Sequence, residues 1–215
     1  MTTPLLDGIS SALQRGDRDA VVALTREAID AATPASSLLN QGLLAGMRVV
    51  GAKFRDYEMF LPDVLLAARA MTAAMELLRP LLVADGVPLA GRVVLGTVKG
   101  DLHDIGKNLV GIMLQGAGFD TVDLGVDVDP DAFAEAAVTH GATVIGMSAL
   151  LTTTMIGMKD VIRALEHRGL RDRIRTVVGG APVSQAFAVE IGADGYAADA
   201  PGAVALVRAL ARVSS

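Results

Sequence analysis

The residues best suited to chemistry lie in one short segment, Asp101-Leu102-His103-Asp104-Ile105-Gly106. An imidazole that stays neutral near physiological pH is a good ligand for a borderline metal. Asp101, two residues before His103, could accept a hydrogen bond from the second ring nitrogen and fix the tautomer. The chain has no cysteine and only 3 histidines, whereas a zinc site needs several protein ligands. If His103 binds a metal, the other ligands therefore have to come with a macrocycle.

Two simpler interpretations of this segment stay open at the level of residue types. Asp101 and Asp104 flank a helix predicted to start at Ile105, so either carboxylate could cap that helix while His103 is only a solvated loop residue. The two carboxylates could instead hold Mg²⁺ through their oxygens. The segment alone does not decide between a metal-binding imidazole, a helix cap and a magnesium site.

Hydroxyl groups and paired glycines follow two later apolar runs. The segment Ser148-Ala149-Leu150-Leu151-Thr152-Thr153-Thr154 could hydrogen bond a ligand, or its threonines could cap a helix predicted over residues 154–167. Thr154 could reach the first segment if the two preceding strands are neighbours. Gly179-Gly180 would let the backbone approach a ligand closely, or would simply turn the chain. Together the three segments predict a long cleft with small walls and one imidazole at its mouth.

These segments follow strands one, three and four of a predicted α/β domain, residues 91–215. Its near-continuous apolar strands alternate with helices as (βα)₅, which favours a parallel sheet covered on both faces. The common doubly wound, Rossmann/flavodoxin-like order is 2-1-3-4-5, and ligands bind where the winding reverses between strands one and three. The predicted strands are residues 92–98, 121–124, 143–147, 174–178 and 195–197.

The first part of the chain, residues 1–84, has helical patterning throughout and predicts a four-helix bundle that forms a cap domain. Residues 85–90 contain a glycine and a proline without a periodic apolar face, and they form the predicted linker between the two domains. One apolar stripe of the bundle recurs at steps of three or four residues: Leu39, Leu43, Met47, Val50 and Phe54.

Composition narrows the classes of partner. A net charge of −5, an aromatic content of 3% and the absence of tryptophan argue against a nucleic-acid module. No apolar run is long enough to cross a membrane, and the N-terminal residues lack the basic start of a secretory signal. We therefore expect no nucleic-acid or membrane partner. A chain without cysteine is compatible with the cytoplasm, which we expect to be its compartment.

The order of these motifs resembles the cobalamin-binding module. The module's hallmark is Asp-x-His-x-x-Gly, then Ser-x-Leu, then Gly-Gly, and the chain has these three elements at residues 101–106, 148–150 and 179–180. Residues 46–54 and 59–62 resemble the helical cap that precedes this module in cobalamin-dependent methionine synthase and in stand-alone corrinoid proteins. The resemblance covers about residues 35–200, most of the chain.

The resemblance implies that the dimethylbenzimidazole of the cofactor leaves cobalt and that His103 becomes the lower axial ligand. Asp101 would be the hydrogen-bond partner of His103, and Thr154 would complete the relay where the methionine synthase family has serine. These three residues form the implied catalytic group. The resemblance also implies cofactor contacts at Asp104, Ile105, Gly106, Ser148, Leu150, Thr152, Gly179 and Gly180, with Ser148, Thr152 and the glycines along the nucleotide tail. Phe54, Leu61 and Val64 match residues over the methyl-bearing corrin face, although as a pattern they are equally compatible with bundle core.

The implied function is that of a corrinoid protein rather than a complete enzyme. Bound as methylcobalamin or cob(I)alamin, the cofactor would carry a methyl group between separate methyl-donor and methyl-acceptor methyltransferases. Candidate donors are methylamines, methanol, betaines and aryl methyl ethers, and the acceptor would be tetrahydrofolate or a thiol. The main alternative is a cobalamin-dependent sensor. A free-standing module of an adenosylcobalamin mutase and a flavodoxin-like binder of another ligand are further alternatives.

Overall fold

The computed structural model describes residues 2–85 and 90–213. The chain folds into two compact units, one of Met1–Leu89 with Gln115–Gly118 and one of Ala90–Leu114 with Phe119–Ser215. The predicted domain boundaries stay a prediction, because residues 86–89 of the predicted linker lie outside the described part of the chain. Within that described part, no helix combines the length and apolar character that a membrane crossing requires.

The first unit is helical, as predicted. Its helices are α1 (Thr2–Gln14), α2 (Arg18–Asp30), α3 (Ala35–Ser37), a π-helical segment (Leu38–Leu43), α4 (Leu44–Arg55) and α5 (Leu61–Ala84). Helix α1 packs on α2 and α4, and α5 packs on the same two helices. Because α3, the π-helical segment and α4 follow one another without a gap, they form one continuous helix with a π-helical segment in its middle.

Local chemistry sets the ends of these helices. The Asp17 side chain accepts a hydrogen bond from the Ala20 N–H, 3.1 Å away, so it caps α2. At the start of α5, the Asp63 carboxylate accepts the Phe60 N–H at 3.0 Å. Pro80 lies inside α5, which continues to Ala84.

The second unit is the predicted (βα)₅ domain. The strands are β1 (Arg92–Thr97), β2 (Asp120–Asp123), β3 (Val144–Ser148), β4 (Arg175–Gly179) and β5 (Gly195–Ala197). They form one parallel sheet in the order β2-β1-β3-β4-β5, which confirms the predicted order. The helices are α6 (Ile105–Gly116), α7 (Pro130–His140), α8 (Gly157–His167), α9 (Gln185–Ile191) and α10 (Ala200–Val213).

The inner residues of the central strands are apolar and are covered by helices. Val93 and Val94 in β1, Val144 and Ile145 in β3, and Val178 in β4 are fully buried. Helices α7 and α8 supply Phe133, Met158 and Leu165, all fully buried, to the core that holds Val94, Ile145 and Val178. A continuously apolar strand can be buried on both faces only when helices lie on both, which is the reason that the pattern predicted a parallel sheet.

Asp194 ties the amino ends of β4 and β5 together and gives a testable pH dependence. Its Oδ2 accepts hydrogen bonds from the Thr176 N–H at 2.7 Å and pairs with Arg171 at 2.7 Å, and Arg175 lies 3.2 Å from Oδ1. Burial alone would raise the pKa of this carboxyl. The bonds from Arg171 and Thr176 outweigh burial and hold the Asp194 pKa below its ordinary value.

We expect Asp194→Asn to lower the free energy of unfolding by about 1–3 kcal/mol at neutral pH, because the charged pairs are lost. A lowered folded-state pKa stabilises the fold above the unfolded value of about 3.9, and that stabilisation is lost as the pH falls. The difference between the variant and the wild type should therefore shrink in urea denaturation series toward about pH 3. A difference that stays constant with pH would contradict the assignment.

Candidate functional site

The loops after β1 and β3 meet because these strands are neighbours. Thr97 at the end of β1 is in register with Ser148 at the end of β3, and the Val98 N–H donates to the Ser148 carbonyl at 3.0 Å. Strand β1 ends one residue earlier than predicted, and Val98 forms only an isolated bridge to Val128. The reversal of the winding thus brings residues 98–104 and 149–156 together at the carboxyl edge, as the topology predicted.

Asp101 is the centre of the site. Its side chain is fully buried. Oδ1 accepts the His103 N–H at 3.1 Å and lies 2.7 Å from His103 Nδ1. Oδ2 accepts hydrogen bonds from the Leu150 N–H at 2.8 Å, the Leu151 N–H at 3.3 Å and the Thr154 hydroxyl at 2.6 Å. The carboxylate therefore joins the two loops rather than capping helix α6.

These contacts decide the charge of Asp101. Burial by itself raises the pKa of the carboxyl, since it disfavours the charged form. The hydrogen bonds from Thr154, Leu150 and His103 outweigh burial and hold the pKa of Asp101 well below its usual range. Because an ionised carboxylate can only accept, the proton in the contact with His103 belongs on Nδ1.

His103 is thereby oriented while its ring stays accessible. The side chain is half exposed, with Nδ1 directed at Asp101. Its main chain is also fixed, because the buried Thr97 hydroxyl donates to the His103 carbonyl at 2.8 Å. With the proton on Nδ1, Nε2 carries the free lone pair, which is the arrangement that metal-bound histidines use. No group of three or more potential metal ligands occurs in the described ranges.

Thr154 was predicted to start helix α8, but it lies in the turn before that helix. Residues 151–156 form turns, and helix α8 begins at Gly157 rather than at Thr154. The Thr154 hydroxyl donates to Asp101 Oδ2 instead of accepting a hydrogen bond from a helix N–H, and it also lies 3.1 Å from the Leu151 carbonyl oxygen. The structure thus brings Asp101, His103 and Thr154 into one hydrogen-bonded group, and their catalytic roles remain predictions.

The hydroxyl of Thr154 can be tested without changing its shape. Thr154→Val removes the donor and leaves Asp101 with one bond fewer, so we expect a loss of about 1.5–3 kcal/mol in the free energy of unfolding. Thr154→Ser keeps the donor and loses one methyl group, for which about 1 kcal/mol or less is expected. Urea denaturation of both apo-variants measures the difference. Equal destabilisation by valine and serine would show that the hydroxyl does not matter.

Large apolar side chains are exposed on the two loops, which is unusual for a protein surface unless it binds something. Sequence reasoning selected only Ile105 and Leu150 from this group, as cofactor contacts. It missed the others because isolated apolar loop residues carry no periodic signal. The exposed side chains are Leu102 (71%), Ile105 (77%), Leu150 (44%), Leu151 (43%) and Ile156 (61%).

The predicted contacts to the nucleotide tail lie at the ends of β3 and β4. Ser148 is half buried and Thr152 is exposed. Gly180 has φ +127°, and a Cβ there would lie 1.8 Å from the Ala149 carbonyl oxygen, so close packing on the β3 loop already requires glycine. For Gly179, the neighbouring atom is the Ala197 carbonyl oxygen at 3.0 Å. A role for these four residues toward a ligand stays a prediction.

The remaining predicted residues after β1 lie at the end of the loop (Asp104) and in the first turn of α6 (Ile105 and Gly106). The Asp104 carboxylate accepts a hydrogen bond from the Asn108 side chain at 2.9 Å instead of capping the helix through a backbone N–H. Gly106 is exposed, and a Cβ there would meet nothing within 4 Å, so the space beside it is open to a ligand. Ile105, between them, is the most exposed of the apolar group.

Lys107 was missed by sequence reasoning and is part of the same network. Its side chain is only 2% exposed, and its Nζ lies 2.6 Å and 2.5 Å from the two carboxylate oxygens of Asp123. It also donates to the Asn108 side chain at 2.8 Å. A buried lysine with a carboxylate partner fixes the first turn of α6 to the end of β2. The sequence gives no signal for this pair, because lysine is ordinarily exposed.

The predicted residues of the helical unit differ in burial. Phe54 near the end of α4 is half buried, Leu61 at the start of α5 is 36% exposed, and Val64 one turn later is fully buried. Val64 could contact a ligand only if the protein atoms that cover it moved. The predicted role of all three at a corrin face stays a prediction.

Comparisons with known proteins agree with the two-part organisation. The family profile of a B12 binding domain matches residues 91–205, and a second B12 binding domain profile matches residues 5–79. The chain is 46% identical over 208 residues to the dimethylamine corrinoid protein of Methanosarcina barkeri, covering 96% of this chain and 97% of that protein. It is 44% identical over 209 residues to a corrinoid protein of Desulfitobacterium hafniense strain Y51, with coverage of 96% and 97%.

A solved structure shows the same similarity in three dimensions. The chain is similar to the methanol:cobalamin methyltransferase complex from Methanosarcina barkeri, with a TM-score of 0.86 and 32% sequence identity. The match covers 97% of this chain and 80% of the chain in that structure. Fold, sequence and cofactor class therefore agree across independent comparisons.

Proposed function

The chain belongs to the family of cobalamin-binding corrinoid proteins, and from this premise we propose that it carries a methyl group on cobalt between two methyltransferases. The observation that supports this most strongly is the buried Asp101 carboxylate, which presents His103 with its proton on Nδ1. Relatives that are corrinoid proteins of methyltransferase systems favour methyl transfer over the sensor alternative.

The residues at the carboxyl edge of the sheet fit cobalamin. A corrin brings four equatorial nitrogens of its own, so one imidazole is the ligand that the protein has to supply. The exposed apolar side chains on both loops suit the wide apolar face of a macrocycle, and the open space beside Gly106 leaves room for it. When bound, cobalamin supplies a cobalt centre that accepts and donates a methyl group.

The chain's own residues have three tasks in this proposal. His103 would hold cobalt through Nε2. Asp101 orients the imidazole and increases its basicity, because a carboxylate partner stabilises the Nδ1–H form. Thr154 and the N–H groups of Leu150 and Leu151 keep Asp101 ionised despite its burial. Leu102 and Ile105, which are exposed near His103 in the sequence, would exclude water once a ligand covers them.

The remaining assignments rest on the family. Phe54, Leu61 and Val64 are proposed at the methyl-bearing face, and Ser148, Thr152, Gly179 and Gly180 along the nucleotide tail. The proposed partners are a donor-specific methyltransferase and a methyltransferase that uses tetrahydrofolate or a thiol. The cytoplasm is the proposed compartment, supported by the sequence without cysteine.

Methyl transfer can be tested with purified components. We expect the chain to bind hydroxocobalamin and, after reduction, to take one methyl group from ¹³C-methyl iodide, detected by NMR. Donor-specific methyltransferases of dimethylamine and methanol systems should then be compared as enzymatic donors. Methylation that depends on one donor enzyme and its substrate would support the proposal. Bound cobalamin that accepts no methyl group, but changes the oligomeric state on illumination, would contradict it in favour of a sensor.

A further inference from the structure

The loop after β2, residues 124–129, lies against the loop that carries Asp101 and His103. The Thr97 N–H donates to the Gly125 carbonyl and the Val128 N–H donates to the Thr97 carbonyl, both at 3.0 Å. Between these two backbone bonds lies Asp127, which does not pair with β1 itself. The extension of the β1–β2 pairing thus presents Asp127 to residues 100 and 101.

Asp127 makes two hydrogen bonds with the main chain of that loop. Its N–H donates to the Asp101 carbonyl at 3.0 Å. Its Oδ1 accepts the Gly100 N–H at 2.8 Å. The two bonded groups lie on either side of the Gly100–Asp101 peptide bond, so one residue fixes the main chain from which the Asp101 carboxylate projects. The bond from Gly100 holds the pKa of Asp127 below its ordinary value, and the side chain is therefore ionised near neutral pH.

The backbone of Asp127 is left-handed, with φ +54°. Only a few residues other than glycine adopt this region, and aspartate and asparagine are the side chains that tolerate it best. Gly100, across the bond, is also left-handed at φ +82°. An unusual backbone conformation at a binding site is a reason to look for a functional constraint. The residue with this conformation, Asp127, is the one that makes both hydrogen bonds to residues 100 and 101.

The salt bridges of Asp127 do not explain its position. Lys99 Nζ lies 3.5 Å from Asp127 and 3.4 Å from Asp129, and all three side chains are about half exposed or more. Exposed ion pairs of this kind contribute little. The two hydrogen bonds to the main chain are the contacts that connect Asp127 with the site.

We propose that Asp127 is a positioning residue that acts through Asp101. By fixing the Gly100–Asp101 peptide from the β2 loop, it sets the carboxylate that orients the His103 imidazole. This inference rests on the proposed function of His103 as the cobalt ligand. Asp127 touches neither the imidazole nor the proposed cobalt position, so its effect should be visible in the orientation of His103 before any cofactor is bound.

The test uses the full chain without cobalamin first. Asp127→Gly is the informative variant, because glycine adopts the left-handed backbone without strain but lacks the acceptor. We expect the ¹⁵N spectrum of His103 to change from one Nδ1–H tautomer to a mixture, and the Gly100 amide to exchange with solvent about tenfold faster. Hydroxocobalamin affinity, measured by titration, should fall about tenfold, as is typical when a partner of a metal ligand is disturbed.

Two sets of control variants separate positioning from general damage. Asp127→Asn keeps an acceptor and tolerates positive φ, so it should restore the tautomer, the exchange rate and the affinity. Asp129→Asn and Lys99→Gln change the neighbouring charges without touching residues 100 and 101, and both should behave as wild type.

The outcomes distinguish this inference from the proposed function. Wild-type tautomer and affinity in Asp127→Gly would overturn the positioning role, even if Gly100 exchange increased, because the bond would then be only structural. If wild-type protein binds cobalamin without a protein nitrogen on cobalt, the function proposed for His103 fails. The tautomer measured in the apo-protein still decides whether Asp127 positions the imidazole.

Discussion

Asp101→Asn should lower the free energy of unfolding of the apo-protein by about 2–4 kcal/mol. Both Asp101 oxygens accept hydrogen bonds, from His103 on one side and from the β3 loop on the other. The amide of asparagine replaces one acceptor with a donor, which then faces either an N–H group or a hydroxyl. Urea denaturation of the two apo-proteins measures the loss.

The control for this prediction is another aspartate of the same domain. Asp160→Asn makes the same change of charge at an exposed position, where the carboxylate pairs with Arg163 at 3.3 Å. Exposed pairs contribute about 1 kcal/mol or less, so this variant should be nearly neutral. If Asp101→Asn were equally neutral, the buried carboxylate could not be the centre of the site.

His103→Ala should have the largest effect on the cofactor and a moderate effect on the fold. The side chain is half exposed, but its removal leaves the buried Asp101 carboxylate with one hydrogen bond fewer, so we expect the free energy of unfolding of the apo-protein to fall by about 1.5–3 kcal/mol, as for Thr154→Val. Without the imidazole, dimethylbenzimidazole or water should become the lower ligand of cobalt. We expect hydroxocobalamin affinity to fall at least about tenfold, together with the rate of methyl transfer. Titration and stopped-flow absorbance measure the two effects.

His167→Ala provides the matched histidine control. His167 is exposed in the last turn of α8. We expect cofactor binding and methyl transfer to be unchanged in this variant. A similar loss in both histidine variants would mean that the effect is general and that His103 has no special place.

The fold could be predicted because runs of apolar residues in the sequence indicate which strands are buried. Val93 and Val94 in β1 and Val144 and Ile145 in β3 form runs that only a doubly covered sheet can bury. Because these strands alternate with helices, the common doubly wound order 2-1-3-4-5 was the expected strand order. That order selected the three loops before their residues were considered.

The bounds of elements near the site were less predictable. Helix α8 was expected from Thr154, where the helical spacing starts, but it begins at Gly157. The reason is tertiary, because the Thr154 hydroxyl binds a carboxylate that is 53 positions away in sequence. Strand β1 likewise ends at Thr97, whose hydroxyl holds the His103 carbonyl.

The site could be predicted only for residues whose side-chain type by itself indicates a chemical role. His103 and Asp101 stand out by type and spacing, and the resemblance supplied their roles. Lys107 and Asp127 do not stand out, because the first is defined by its burial and the second by its backbone angle. Both properties follow from the position of the loop after β2, which no local pattern reports.

The most direct test of the account identifies the nitrogen on cobalt. The chain should be produced with ¹⁵N-histidine, loaded with unlabelled cobalamin and reduced to the cobalt(II) state for electron paramagnetic resonance. If His103 is the lower ligand, each cobalt line should be split into a doublet by ¹⁵N, and His103→Ala should abolish the doublet. A triplet from ¹⁴N in the labelled protein would place the dimethylbenzimidazole of the cofactor on cobalt and contradict the central claim.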